Sequence, residues 1–184
     1  MSHWDQPDPQ SDEALVRRAR EGEEAALSAL VNRHTDAVYR VALAIAGDRD
    51  LAQDISQDAF LKAFRGLEGF RGDASFRTWL LTIVANAARG ALRRQGRRRE
   101  MDLDAAPPVA SELKGPDQIA ELSDESARAR EALGRLPEKQ RLSVQLRVDE
   151  GLSFREIAEV IGSTEGAARV NYFHGIRRLR EWME

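Results

Sequence analysis

The sequence contains no cysteine. Disulfides, thiolate zinc sites and cysteine nucleophiles are excluded, and the composition suits a reducing compartment. Histidine is almost as scarce: His3, His34 and His174 stand far apart without acids at ligand spacing, so no histidine metal cage is expected. No apolar run approaches the roughly 20 residues that span a bilayer. The opening MSHWDQPDPQSDE lacks the basic-then-apolar order of a signal peptide, and residues 1–11 read as a disordered tail. Catalytic groupings are missing too. There is no Gly-rich phosphate loop, no nucleophile elbow and no His with an evident carboxylate partner, so neither enzyme activity, nor a cofactor, nor a small-molecule substrate is expected.

What is present describes a soluble globular chain. With 184 residues, 42% hydrophobic and 32% charged, it suits one medium domain or two small ones. The formal net charge of −3 argues at first against a nucleic-acid partner. Its distribution argues the other way. Residues 85–99 hold six arginines (Arg89, Arg93, Arg94, Arg97, Arg98, Arg99) and no acid, and residues 100–126 hold eight acids against Lys114. Phosphate binding depends on the local field rather than the sum.

Composition breaks at residues 97–116, where RRREMDLDAAPPVASELKGP has three prolines, a glycine and no helical period. This reads as a flexible acidic linker between two small helical domains, residues 12–96 and 117–184. In the first, Gly22 ends a short helix, and Ala26, Leu27, Leu30, Val31 and His34 share one apolar face. Another helix is expected from about Asp36 to Ala46, then one with Leu51, Ile55, Ala59 and Ala63 inward. A last helix starts near Ser75, its stripe formed by Trp79, Ile83 and Ala87 beside Leu80 and Val84. In the second domain Pro137 starts a helix that stops at residues 149–151. Ser153 and Glu156 form a capping box, Gly162 makes a turn, Ser163 caps again, and a long helix runs from about Thr164 to Met183. No segment alternates like a strand, so the fold class is all-α.

Three motifs carry chemistry. LSFREIAEVIGSTEGAARVNYFHGIRRLREW gives a short helix, a Gly turn and a basic helix with Arg169, Arg177, Arg178 and Arg180, a helix-turn-helix suited to the major groove. Ala158, Ile161, Ala168, Tyr172 and Leu179 form its expected core. Asp50, Asp54, Asp58 and Lys62 repeat every turn with Gln53 and Gln57 on the same side. Without a closing ligand these do not make a metal site, so the stripe is either a solvated face or a docking face for a basic protein. In FRGDASFRTWL, two Phe, a Trp and two Arg surround a Gly-Asp turn, and Thr78, Thr82, Asn86, Arg89 and Arg93 continue along one helix face. Thr and Asn suit base edges and Arg suits phosphate. Phe76 and Trp79 read as core more readily than as stacking platforms.

These motifs, in this order, resemble a group IV, extracytoplasmic-function (ECF) sigma factor of bacterial RNA polymerase, over about residues 12–184. AQDISQDAFLKAFRGL, FRGDASFRTWLLTIVANAARGALRR, RLPEKQR and SFREIAEVIGSTEGAAR carry the resemblance. It implies a region 2 bundle and a region 4 helix-turn-helix that give core polymerase its promoter specificity and help melt DNA. Asp50, Gln53, Asp54, Gln57 and Asp58 would dock on the clamp helices of the largest subunit, and the polymerase flap would be a second contact. Phe70, Arg71, Asp73, Phe76, Arg77 and Asn86 would capture a flipped base of the −10 element, with Arg89 and Arg93 on the backbone. Ser163, Thr164, Glu165, Arg169, Val170, Asn171, Phe173 and His174 would read the −35 element, with Arg155 and Arg177 on phosphates. The linker would mimic RNA in the transcript's exit path. An anti-sigma partner, a stress or envelope response and a cytoplasmic location are further implications, with the chain held at the inner membrane where that partner is membrane-bound. Where the family often reads V-K-S-R-L-H-R-A-R, this chain has residues 168–176 as ARVNYFHGI, with fewer cations. The alternative reading is a stand-alone helix-turn-helix regulator.

Overall fold

The computed structural model describes residues 8–101 and 124–183, which form eight α-helices and one 3-10 turn, with no strand among them. Helix α1, Asp12–Arg20, begins where the Ser11 hydroxyl accepts the Ala14 amide at 3.2 Å. Helix α2, Glu24–Ala46, is continuous, so the expected break near Asp36 is absent. No Gly or Pro interrupts this stretch, and Leu30, His34, Val38, Val41 and Ile45 keep one buried stripe through the predicted boundary. Thr35, the residue beside the predicted break, turns its hydroxyl back onto the Val31 carbonyl at 2.7 Å.

Helix α3, Arg49–Arg65, is capped by Asp48, whose carboxylate accepts the Leu51 amide at 2.8 Å. Its buried face is Ala52, Ile55, Ala59, Phe60 and Ala63, while the expected Leu51 is half-buried. A 3-10 turn at Leu67–Gly69 leads to helix α4, Phe76–Met101. The α4 core differs from the expected stripe by a rotation. Leu80, Leu81, Val84, Ala85 and Ala88 are buried, and Trp79 and Ile83 sit half-buried at the edge. Helix α4 also continues through residues 97–101, which the sequence pattern assigns to the linker. The rest of that linker, including the acidic run, lies outside the described residues.

The second half comprises α5, Asp124–Arg135, α6, Glu138–Val148, α7, Phe154–Ile161, and α8, Glu165–Met183. The predicted capping box is present: Ser153 Oγ accepts the Glu156 amide at 3.3 Å, and Glu156 accepts the Ser153 amide at 2.8 Å. Gly162, at φ +64°, takes the left-handed turn that a side chain rarely adopts. The cap of α8 is Thr164, not the expected Ser163: Thr164 Oγ1 accepts the Ala167 amide at 3.2 Å, while the Ser163 hydroxyl turns to the Thr164 carbonyl. Of the expected helix-turn-helix core, Ala158, Ile161 and Ala168 are buried, and Tyr172 and Leu179 are half-buried.

The two halves touch. α4 packs along α7 and α2 against α6, and buried side chains from both halves join one hydrophobic cluster. Two local features test the packing. At Gly175 a Cβ would lie 2.7 Å from Val144 Cγ2 and 3.3 Å from the Gln140 carbonyl, so α8 crosses α6 only because this position is bare. Gly175→Ala should destabilise by about 1–3 kcal/mol, read as a lower midpoint in urea without a change in slope.

The second feature is the partner that His34 lacks in the sequence pattern. Buried His34 meets Asp12 from α1 at 2.9 Å, and Arg33 donates to the same carboxylate at 2.7 Å. Burial opposes ionisation of Asp12, but hydrogen bonds from His34 and Arg33 outweigh it and hold its carboxyl below the usual range. A lowered carboxylate contributes stability that is complete above its unfolded value, about 3.9, and is lost as pH falls through the lowered one. Asp12→Asn should therefore lower Tm at pH 7, by a loss of about 1–3 kcal/mol, and the gap to the parent should close as pH drops below about 4.

Candidate nucleic-acid interface

The loop before α4 is fixed at both ends and free at its tip. Arg20 of α1 donates to the Leu67 carbonyl at 2.9 Å and to the Phe70 carbonyl. The Phe70 ring packs on Trp79 at 5.0 Å and edge-on to Phe76 at 5.9 Å between centroids. At the other end Ser75 Oγ accepts the Thr78 amide at 3.1 Å, capping α4. Between these anchors Gly72, at φ +79°, turns the chain, and Arg71 and Asp73 project with side chains 84% and 81% exposed. They pair only loosely, at 3.4 Å.

Phe76 does not belong to this exposed set. It is 2% exposed and stacks among His34, Phe70 and Trp79, which removes it from the residues able to touch a base. The reading of Phe76 as core is the one the packing supports. The polar face of α4 is also divided. Asn86 and Arg93 are exposed, whereas Thr78 is fully buried and Thr82 is half-buried with its hydroxyl on the Thr78 carbonyl at 2.9 Å. The cause is α7, which lies against α4.

Asp50, Gln53, Asp54, Gln57 and Asp58 are all exposed on α3, opposite its buried alanine-rich side. On this face Asp58 pairs with Lys62 at 3.5 Å, open to solvent, a contact worth little in stability. No group of three His, Asp or Glu converges to hold a metal ion among the described residues.

On α8, Thr164, Glu165, Arg169, Val170, Phe173, His174 and Arg177 are exposed, and Ser163 and Asn171 are half-exposed. Val170 and Phe173 are 53% and 58% exposed, unusual for large apolar groups side by side on one helix. Behind them Phe154 meets Tyr172 at 5.6 Å, and the guanidinium groups of Arg147 and Arg169 lie 5.1 and 5.2 Å from the Phe154 ring. Arg169 also pairs with Glu165 at 3.1 Å, and exposed Arg155 approaches Glu159 at 3.8 Å.

Several residues the sequence pattern passes over join the two halves. Glu150, read only as part of a helix-stopping turn, has a side chain 2% exposed. It accepts Arg40 Nε at 2.8 Å and Arg40 Nη2 at 2.5 Å, and its second oxygen pairs with Arg77. Arg77 Nη1 reaches the Glu150 carbonyl at 3.0 Å. Burial, with Arg40 nearby, lowers the affinity of Arg77 for its proton. Thr78 donates to Glu156 at 3.0 Å, Arg89 to Glu138 at 3.0 Å, and Arg141 to the Ala44 carbonyl at 2.9 Å. Burial would raise the Glu156 carboxyl, yet the Ser153 amide and hydroxyl, the Thr78 hydroxyl and Arg77 hold it below its usual range. No spacing rule links residues 49–110 positions apart, so these pairs had no signal in the sequence.

The geometry is that of two helical modules with separate polar faces, and comparison with known proteins agrees. Residues 30–98 match Sigma-70 region 2, and residues 126–179 match Sigma-70 region 4. The chain is 34% identical to the RNA polymerase sigma-H factor of Pseudomonas aeruginosa over 173 residues, 89% of each chain. It is 34% identical to the ECF RNA polymerase sigma-E factor of Haemophilus influenzae over 182 residues, 95% of this chain and 94% of that one. Among solved structures, CnrH in complex with the cytosolic domain of CnrY shows a TM-score of 0.66 at 26% identity, covering 92% of this chain and 95% of that one. The sigma factor RpoE of Bartonella quintana, solved with the anti-sigma factor NepR, shares the fold at a TM-score of 0.69 and 23% identity, covering 83% and 93%. The chain belongs to the sigma-70 factors of RNA polymerase. Within them it is an ECF sigma factor, which sets aside the stand-alone regulator and places it among non-catalytic initiation factors.

Burial separates core from exposed aromatics in a measurable way. Phe76→Ala should cost about 3–5 kcal/mol of stability. Phe173→Ala should leave it within about 0.5 kcal/mol. Chemical denaturation of both variants checks the contrast.

Proposed function

We propose that this sigma factor binds core RNA polymerase through the exposed acidic face of α3, with Asp50, Gln53, Asp54, Gln57 and Asp58 meeting the clamp helices and region 4 meeting the flap. The loop tip Arg71–Asp73, the edge of Phe70 and Asn86 capture a base of the melted −10 element, and Arg93 holds the strand. Arg77 and Arg89 serve the same strand once they are free of the second half. The −35 element is read by α8, from Thr164 and Glu165 through His174, with Arg155 and Arg177 on phosphates. Val170 and Phe173 offer apolar surface where thymine methyl groups line the major groove. The observation that carries this reading is the simultaneous exposure of three chemically distinct faces: acidic on α3, polar around Asn86 and the loop tip, basic with apolar groups on α8.

Control by an anti-sigma factor belongs to the same proposal. The likeness to RpoE, solved with NepR, and to CnrH, solved with CnrY, supports it. Among the described residues no helix is long and apolar enough to cross a membrane.

Run-off transcription by bacterial core polymerase on a randomised promoter library tests the reading. Transcripts should depend on this protein and reveal both promoter elements. Asn86→Ala should reduce them about tenfold or more while leaving polymerase binding intact, since a lost base contact costs roughly 1–3 kcal/mol. Asp54→Lys with Asp58→Lys should instead weaken polymerase binding itself. A library that yields no protein-dependent transcripts overturns the proposal.

A further inference from the structure

Helix α1 carries none of the groups that the proposed function assigns to DNA, yet both of its ends support the loop that catches the base. At its C-terminal end Arg20 donates from Nε to the Leu67 carbonyl at 2.9 Å and from Nη2 to the Phe70 carbonyl. At its N-terminal end Asp12 holds His34, whose ring lies 5.5 Å from that of Phe76, and Phe76 meets Phe70 at 5.9 Å between centroids. The helix between these ends is itself fixed. Arg18 donates to Glu23 at 2.7 Å across the turn between α1 and α2, and the Glu23 amide returns to the Arg18 carbonyl at 3.1 Å. From this arrangement we propose that Arg20 is a positioning residue for −10 selectivity: its guanidinium aims the loop tip, Arg71–Asp73, at the strand without touching DNA. The inference rests on the −10 reading given above.

The chemistry of this tether explains how one side chain can set a direction. The turn before the loop is closed by its own amides, Gly69 to the Gly66 carbonyl at 3.0 Å and Phe70 to the Leu67 carbonyl at 3.2 Å. These bonds fix where the loop begins and leave free the plane of the next peptide, between Phe70 and Arg71. That plane is rigid, and across its trans bond the carbonyl and the amide N–H point opposite ways. A guanidinium on the Phe70 carbonyl therefore also directs the Arg71 amide, which faces away from Arg20. The planar fork suits the task, because Nε and Nη2 lie side by side and hold two carbonyls in one orientation. Beyond the tip, Ser75 Oγ accepts the Thr78 amide at 3.1 Å and the Ser75 carbonyl accepts the Trp79 amide at 3.0 Å. Arg20 and Ser75 thus bracket the exposed tip. Without Arg20 the tip keeps its aromatic floor but samples more directions, so capture of a base pays more in ordering. Contacts to phosphate, which tolerate a looser fit, persist.

The holoenzyme formed with core polymerase carries the test. Run-off transcription is compared on the parent's preferred promoter and on single-base variants of its −10 element. Arg20→Met removes both donors and keeps most of the side-chain length. It should lower the preference at the base caught by the loop about five- to tenfold and leave preferences in the −35 element unchanged. The fall of promoter binding with salt should keep its slope, whereas a lost phosphate contact reduces that slope by about 1. Arg20→Lys keeps the charge without the fork and should lose the same preference. In the free chain, amide exchange at Gly69 and Phe70, followed by NMR, should quicken about fivefold in both variants. A reduced salt slope, an equal fall on every promoter, or parental preference in Arg20→Lys overturns the proposal, because charge or general stability then accounts for the effect. Unchanged exchange overturns the tether itself. Where Arg20→Met fails to fold by circular dichroism, Arg20→Lys supplies every comparison. A parent holoenzyme without base preference in the −10 element removes the −10 reading and the selectivity role with it, while the exchange result still decides whether Arg20 holds the loop.

Discussion

A carboxylate with almost no access to water has to be neutralised by the protein around it, and the cations paired with Glu150 among the described residues, Arg40 and Arg77, come from the opposite half of the chain. Arg40 stands on α2 and Arg77 at the start of α4, so one side chain in the turn after α6 fixes how α7 meets the first bundle. The neighbouring pairs, Thr78 with Glu156 and Arg141 with the Ala44 carbonyl, share the same constraint. Removing one partner would strand a buried charge, a change typically costing about 3–5 kcal/mol. Removing both halves from each other costs less, because all three charges return to water. That asymmetry separates a contact that tolerates opening from one that tolerates mutation.

Size explains why the halves seek each other. Each is a bundle of four helices, and small domains bury a limited share of their surface. The first half compensates with an aromatic knot in which Phe70, Phe76, Trp79 and His34 interlock beneath the loop tip. The knot does more than stabilise. It immobilises Phe70, Arg20 ties the loop's carbonyls from behind, and Arg71 and Asp73 are left as projecting groups on a rigid base. On the −10 reading proposed above, a loop prepared this way loses little entropy on gripping a base.

The helices, their caps and the helix-turn-helix were legible in the sequence because each depends on residues within about four positions of one another. Ser153 with Glu156 and the left-handed Gly162 are local facts and appear as expected. The rotation of the buried stripe on α4 is set by neighbours that no local pattern contains. The continuity of α2 past Thr35 and the cap at Thr164 are local, and there the sequence offers two adjacent choices of which the structure takes the other. Phe76 shows the limit most clearly. A phenylalanine beside arginines carries the same composition signal whether it stacks on a base or fills a core, and only its 2% exposure separates the two.

The departure of α8 from the usual basic pattern follows from the same contest between packing and recognition. Gly175 lets the helix cross α6 at backbone distance, which fixes the face of α8 that remains outward. On that face apolar Val170 and Phe173 share space with few cations, and Arg169 is drawn toward Glu165 and the Phe154 ring. A helix with fewer free charges gains less from releasing counterions and so grips any DNA sequence more weakly. What remains is the part of the interface that depends on shape and methyl groups. Weak binding by region 4 alone is compatible with strict selection, because a polymerase that holds both modules supplies the effective concentration that charge would otherwise provide. A lightly charged α8 thus suits a module that meets DNA only when a second module is held beside it.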